Sequence, residues 1–167
     1  YVITEEPKEG YEQEEPVGGL PAEGYVDRNG SAVRFVNACA PQGAPATFQV
    51  TKEIPFLAGY EIPDSALPEE GFRFRLSFNK KPYANRAFKI VDSIDQARVL
   101  GEGATDEEGI FFLQGGTTAV FTGEDIRAGL DYRAEELDLP QGWWAIGETE
   151  QSGATDTNTS VRFRNGF

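Results

Sequence analysis

Histidine and methionine are absent from this chain of 167 residues, and cysteine occurs once, at Cys39. One thiol cannot close an internal disulfide. Without histidine or a CxxC pair there is also no soft-metal site to assemble, and no cofactor is expected. No apolar run is long enough to span a bilayer. The first residues form neither a basic n-region nor an apolar h-region, and Tyr1 stands inside a strand-like pattern, so the chain reads as a fragment of something longer. Positive charge is scarce too. The formal net charge is −13, with −5 in residues 1–37 and −8 in the remaining 130, so the acidity is spread rather than gathered in a tail. Such a surface repels phosphate backbones and anionic lipid headgroups, which argues against nucleic acid and membrane partners. Neither a phosphate-cradling loop nor a nucleophile motif is present. A carboxylate pair for glycoside hydrolysis among so many acids is a distant reading, and the chain is not expected to be an enzyme.

What is present is alternation. Hydrophobic residues make up 39% of the chain, enough for one sizeable core. Phe48, Val50 and Lys52 alternate with Gln49 and Thr51. Phe72, Phe74, Leu76 and Phe78 alternate with Arg73, Arg75 and Ser77. Val161, Phe163 and Asn165 alternate with Arg162 and Arg164. A period of two puts successive side chains on opposite sheet faces, one dry and one wet. Shorter strands are expected at Ala87–Val91, Ile110–Leu113, Thr118–Phe121, Asp131–Glu136 and Trp143–Gly147. Turn-rich clusters separate them at Pro63–Pro68, Gly101–Gly109 and Gly153–Asn158. Glu124–Ala128 reads as one turn rather than a helix. Of the adjacent Trp143 and Trp144, one belongs in the core and the other outside it. Seven or eight short antiparallel strands imply an all-β, immunoglobulin-like sandwich.

Three polar residues break the apolar faces. Lys52 follows Phe48 and Val50, Asn165 follows Val161 and Phe163, and Glu136 follows Tyr132 and Ala134. Each should point inward at the end of its strand, whereas Glu135 should point out. Buried polar groups of this kind must be neutralised, paired or reacted. A dry core drives an amine toward its neutral, nucleophilic form and a carboxyl toward its protonated, hydrogen-bond-donating form. Held together by a fold, an amine and an amide reach the effective concentration that joining them requires. Attack of Lys52 on the Asn165 amide would expel ammonia and leave an isopeptide, with Glu136 polarising the carbonyl and shuttling protons. The unreacted alternative is a buried Lys52–Glu136 ion pair with Asn165 hydrogen-bonded beside it.

The segments FQVTK (48–52), YRAEE (132–136) and VRFRN (161–165), in that order, resemble the Cna B-type repeat of Gram-positive surface proteins and pilins. The stretches FRFRLSFN and GIFFLQGGTTAVFTGEDIRAG resemble the middle strands of its pilin-like variants. The resemblance covers residues 46–167. It implies a reverse-immunoglobulin sandwich whose first and last strands are neighbours, crosslinked through Lys52 and Asn165 beside Glu136. It also implies an extracellular, cell-wall-attached module of a stalk or pilus, whose partners are neighbouring domains of the same surface protein. A ligand-binding adhesin, reading a host protein or glycan through the Pro63–Pro68 or Gly153–Asn158 loops, is the alternative.

The chain also resembles itself. Tyr1-Val-Ile-Thr-Glu5 matches Tyr132-Arg-Ala-Glu-Glu136, and Val33-Arg-Phe-Val-Asn37 matches Val161-Arg-Phe-Arg-Asn165. Residues 1–37 therefore read as the C-terminal remnant of a preceding copy, 38–45 as a linker holding a free Cys39 thiol, and 46–167 as a complete domain. In the remnant Glu5 and Asn37 are the matching acid and acceptor, with no lysine strand and with Lys8 too near to substitute. An incomplete sandwich of this kind leaves a strand edge open, so these residues are expected to pack poorly or to dock on a neighbour. The acidic pairs Glu69-Glu70 and Glu107-Glu108, and the Asp156–Thr159 segment, lack calcium-loop spacing and read as solvated loops, so no metal is expected. Asn158-Thr-Ser160 fits a glycosylation acceptor that a bacterial host would leave bare.

Overall fold

A computed structural model describes residues 2–3, 11–15, 22–23, 36–39, 43–55 and 61–167. The chain forms two compact units, Tyr1–Gln42 and Gly43–Phe167. In the first, β1 (Val2–Ile3) pairs antiparallel with β3 (Ala22–Glu23), and β2 (Tyr11–Glu15) with β4 (Val36–Cys39).

The second unit is a β-sandwich. One sheet runs β10 (Ile110–Leu113), β6 (Phe72–Phe78), β12 (Asp131–Leu137), β14 (Glu150–Ala154), with β7 (Lys81–Pro82) added to β6. The facing sheet runs β13 (Trp144–Ala145), β15 (Asn158–Gly166), β5 (Thr47–Glu53), β11 (Thr117–Phe121), β8 (Ala87–Asp92), β9 (Val99–Ala104). All pairings are antiparallel except one. The unit's first and last long strands, β5 and β15, lie side by side and parallel, with Val50 opposite Val161 and Lys52 opposite Phe163. This is the strand arrangement expected from the sequence.

Alternation builds the core. Phe72, Phe74, Leu76 and Phe78 of β6 face Phe48 and Val50 of β5 and Val161 and Phe163 of β15, all buried. Phe111 joins them, stacked on Phe74 at 5.6 Å and edge-on to Phe88 and Phe121 at 5.2 and 5.3 Å. Trp143 is buried and donates its indole N–H to the Ala66 carbonyl at 2.9 Å. That bond pins the short 3-10 turn Asp64–Ala66 to the core, while Trp144 is 52% exposed. Between β6 and β7, Asn79 and Lys80 take φ of 48° and 64°, the two left-handed residues that a two-residue hairpin turn demands. The Glu124–Ala128 stretch is a turn, closed by Ile126 N–H on the Gly123 carbonyl at 3.1 Å.

Two stretches carry backbone pairing that their breakers did not announce. In the 38–45 segment the described ends are both paired. Ala38 and Cys39 close β4 opposite Glu12 and Tyr11. At the other end Ala44 accepts from Ala128 N–H at 2.9 Å, and Ala46 donates to Ile126 at 3.0 Å. Gly43 lies so close to the Ala128 carbonyl that a Cβ there would sit 1.8 Å from its oxygen. The missing side chain of Gly43 is what lets backbone approach backbone there. Secondly, Gly101–Gly109 and Gly153–Asn158 are not loops throughout, since β9 takes up Val99–Ala104 and β14 takes up Glu150–Ala154. Both strands end their sheets and are wet on both faces, so selection leaves no alternation in them to read.

The facing of β10 gives a direct test. Phe111→Ala should destabilise the domain by about 3–5 kcal/mol, the range for an emptied aromatic site. The neighbouring Phe112, 40% exposed, should lose less than about 1 kcal/mol on the same change. Urea unfolding followed by tryptophan fluorescence reads both, and equal losses would mean that the strand is wrongly faced.

Candidate functional site

Period-two geometry delivers the three polar residues to one place. On β5, Phe48, Val50 and Lys52 form a fully buried row. On β15, Val161, Phe163 and Asn165 form the adjacent row, and the parallel register sets Asn165 two residues beyond the partner of Lys52. Glu136 comes from the opposite sheet, on the inward face of β12, where it pairs with Phe74 of β6. Amine and amide thus share one sheet, and the acid descends on them from the other.

Lys52 Nζ donates to Glu136 Oε1 at 2.6 Å, and Asn165 Nδ2 donates to the same oxygen at 2.8 Å. The Lys52 and Glu136 side chains are 0% and 1% exposed, and Asn165 is 0% exposed. The walls are aromatic. Lys52 Nζ sits 4.2 Å from the centroid of the Phe72 ring, while Phe74 and Phe163, opposite Glu136 and Lys52 in their ladders, lie 5.3 Å apart. Burial holds the Lys52 amine below its ordinary 10.5; the hydrogen bond and charge of Glu136 pull the other way and are outweighed.

Two acceptors in this pocket have no partner: Glu136 Oε2 and Asn165 Oδ1. A buried acceptor left unmade costs about 1–3 kcal/mol, so the unreacted trio is a high-energy arrangement. Turning the Asn165 amide over exchanges its two heavy atoms in place. Oδ1 would then face Glu136 Oε1, and a proton on that carboxyl would be donated to the amide oxygen. The same geometry therefore accommodates an ammonium–carboxylate pair or a neutral amine beside a carboxylic acid, and only the second is set up for acyl transfer.

The surrounding charges lie outside. Glu135 faces out and meets Arg133 at 3.0 Å and Arg75 at 3.9 Å. Arg73 pairs with Asp138 at 3.0 Å, and Arg162 and Arg164 reach Glu53 at 3.2 and 3.6 Å. These exposed pairs contribute little to stability. Several acidic loop residues fold their own turns: Asp106 Oδ1 accepts from the backbone N–H groups of Glu108 and Ile110, both at 2.8 Å. In the first unit Asn37 stands on β4 opposite Gln13, and Glu5 lies outside the described residues. Sequence reasoning missed the aromatic wall around Lys52, although Phe72 and Phe74 already stood on an inward row. It also missed the Tyr83–Asp125–Arg86 cluster, with bonds of 2.9 and 2.8 Å, for which no periodic signal exists.

Neither a protein-family model nor a curated protein matches the sequence. Among solved structures, the chain is similar to the pilus-presented adhesin Spy0125 (Cpa), at 16% identity and a TM-score of 0.48 over 78% of this chain and 28% of that one. It is also similar to the major pilin from Streptococcus pyogenes, at 18% identity and a TM-score of 0.40 over 98% of this chain and 66% of that one. The chain therefore spans just over a quarter of the adhesin's length and just under two thirds of the pilin's.

The buried amine predicts a pH dependence when it cannot be consumed. In Asn165→Ala, Lys52 stays free, and its folded pKa lies below the 10.5 of the unfolded chain. Between those two values the unfolded state binds more protons, so stability should rise with pH from the lowered folded pKa up toward 10.5. The urea midpoint should climb across that window, and adding Lys52→Met should flatten it. A midpoint that falls with pH in Asn165→Ala would show that burial does not dominate at Lys52.

Proposed function

We propose that Gly43–Phe167 is a Cna B-type structural module of a bacterial surface protein, a stalk or pilin-type unit braced by a Lys52–Asn165 isopeptide that the fold makes for itself. One observation carries this reading. A single oxygen of Glu136 is gripped at 2.6 Å by the amine and at 2.8 Å by the amide that would be joined, in a pocket closed to solvent.

The chemistry follows from that oxygen. Passing one proton from Lys52 Nζ to Glu136 leaves a neutral amine, which attacks Asn165 Cγ. The protonated carboxyl donates to the amide oxygen as negative charge develops there. Collapse of the tetrahedral carbon breaks the Cγ–Nδ2 bond, and Glu136 carries the surplus amine proton to the departing nitrogen. One amide is traded for another and one ammonia leaves. The event occurs once per chain and gives no turnover.

The topology gives the bond a mechanical role. Tension entering along β5 would reach Lys52 near the end of the strand, cross to Asn165 on the neighbouring β15 and leave through Gly166 at that strand's end. All the chain between the two residues is bypassed. By analogy with other crosslinks closing a loop of this size, the bond should also stabilise the fold by about 4–5 kcal/mol through the unfolded state. Extracellular display and attachment to neighbouring domains belong to the same proposal.

Recognition of a host ligand is the second reading. A cavity of about 470 Å³ at one end of the sandwich, lined by Ile54, Ile62, Trp144, Ile146 and Phe167 among others, favours it.

Intact mass spectrometry tests the leading proposal. The purified chain should weigh one ammonia less than its sequence. Lys52→Met, Glu136→Gln and Asn165→Ala should each restore the full mass expected of the variant. A wild-type chain at full mass, after prolonged folding at neutral pH, rules the bond out.

A further inference from the structure

Asn165 is followed by Gly166, and this gives the Asn165 carbon a second nucleophile. The backbone nitrogen after an asparagine can close on the side-chain carbon to form a five-membered succinimide, most readily when that next residue is glycine and offers no side chain in the way. The inference rests on the crosslinking proposed above. Whatever activates Asn165 Cγ toward Lys52 also activates it toward Gly166, and the rival nitrogen is always adjacent.

The fold holds that nitrogen back. The two-residue strand β13 lies antiparallel on the end of β15, with Trp144 opposite Gly166 and Ala145 opposite Asn165. Beyond it, Ile146 N–H donates to the Arg164 carbonyl at 2.7 Å. Antiparallel ladders alternate, so Trp144 and Gly166 form the next hydrogen-bonded pair and the Gly166 N–H is committed to the Trp144 carbonyl. Ring closure would need rotation about the Asn165 Cα–C bond, out of the extended conformation that β15 imposes. The Trp144 indole completes the clamp, since a Cβ at position 166 would lie 2.5 Å from its ring. The contact that requires glycine here, and so makes the pair labile, is the contact that immobilises it. Trp144 is half exposed and adds little to the core, which leaves its place over Gly166 as its clearest task.

We propose that β13, through Trp144, is a positioning element that directs the Asn165 carbon to Lys52, and that Asn165–Gly166 is a latent succinimide and deamidation site exposed when that pairing is lost. In the side reaction the bond from Gly166 N to Asn165 Cγ forms and the Cγ–Nδ2 bond breaks. The amide nitrogen leaves as ammonia with the Gly166 proton. Water, reaching the ring from the cavity that Asn165 and Gly166 border once the pairing is lost, then opens it to aspartate or isoaspartate. The succinimide and the crosslink have the same mass, so only peptide mapping separates them.

The test isolates the rival nucleophile by removing the lysine. Lys52→Met is compared with Lys52→Met carrying Trp144→Ala, Trp144→Phe or Ile146→Pro. Incubation is in mildly alkaline buffer at a temperature where near-ultraviolet circular dichroism shows all four folded. Isoaspartate at position 165 is quantified in peptide maps. Ile146→Pro, which removes the strand hydrogen bond to Arg164, should accumulate it about tenfold faster than the parent. Trp144→Ala, which keeps the backbone pairing but lifts the indole off Gly166, should also run faster, and Trp144→Phe should restore the slow rate. The proline variant breaks the pairing without removing the indole, so failure of one variant to fold leaves the other. Equal rates in all four proteins overturn the proposal. A wild-type chain without a Lys52–Asn165 crosslinked peptide, alongside an intact tenfold difference, would sink the crosslinking reading and leave the clamp standing.

Discussion

Taking a lysine amine out of water is what the rest of this domain is organised around. An isolated buried ammonium is prohibitively unfavourable, and even a paired one often fails to recover its lost hydration. The sandwich answers with one acid and one amide, and both Lys52 and Asn165 compete for the same Glu136 oxygen. That sharing leaves Glu136 Oε2 and Asn165 Oδ1 without partners. A purely structural ion pair would satisfy its remaining lone pairs. Here two are left open, and in the proposed crosslinking the open Asn165 Oδ1 is the atom on which negative charge would develop.

The sheet topology explains why the reactants meet at all. Lys52 and Asn165 are separated by nearly the whole domain in sequence, yet β5 and β15 are parallel neighbours. Parallel pairing of a first with a last strand is a non-local contact with a large loop-closure cost. The amine and the amide are therefore held together only by the completed fold. The proposed chemistry would be gated by folding: an unfolded lysine is protonated and solvated, and its target is far away. A bond formed under those conditions would record that the fold was reached.

Much of this was legible in the sequence, and the reason is burial. β6 alternates buried and half-exposed residues along its full length, and a strand with one dry face has to spell out which face that is. The same rule made Lys52, Glu136 and Asn165 visible, because a polar residue on an apolar row violates the pattern. It separated Glu136 from Glu135 by a single step of the pleat. Where the rule has no purchase, reading failed. β9 and β14 lie at sheet edges with little buried area, so their glycine-rich sequences looked like loops. Within the 38–45 segment, the tight contact of Gly43 on Ala128 went unseen because no side-chain pattern announces backbone against backbone. The Tyr83–Asp125–Arg86 bridge joins two distant segments, and nothing local marks it.

The choice of side chains at the site is itself constrained by charge. With asparagine at 165, the pocket holds one base and one acid, so its charge is zero whether the proton rests on Lys52 or on Glu136. An aspartate there would add a second carboxyl beside the first; like charges at that distance cannot both ionise, and one would hold the proton needed elsewhere. It would also make water the leaving group, a change that can run backward if water re-enters. Ammonia, once it diffuses away, does not return at useful concentration. The amide therefore serves two ends. It keeps the pocket neutral, and in the proposed crosslinking it would make the reaction one-way, which is what a brace holding under tension would require.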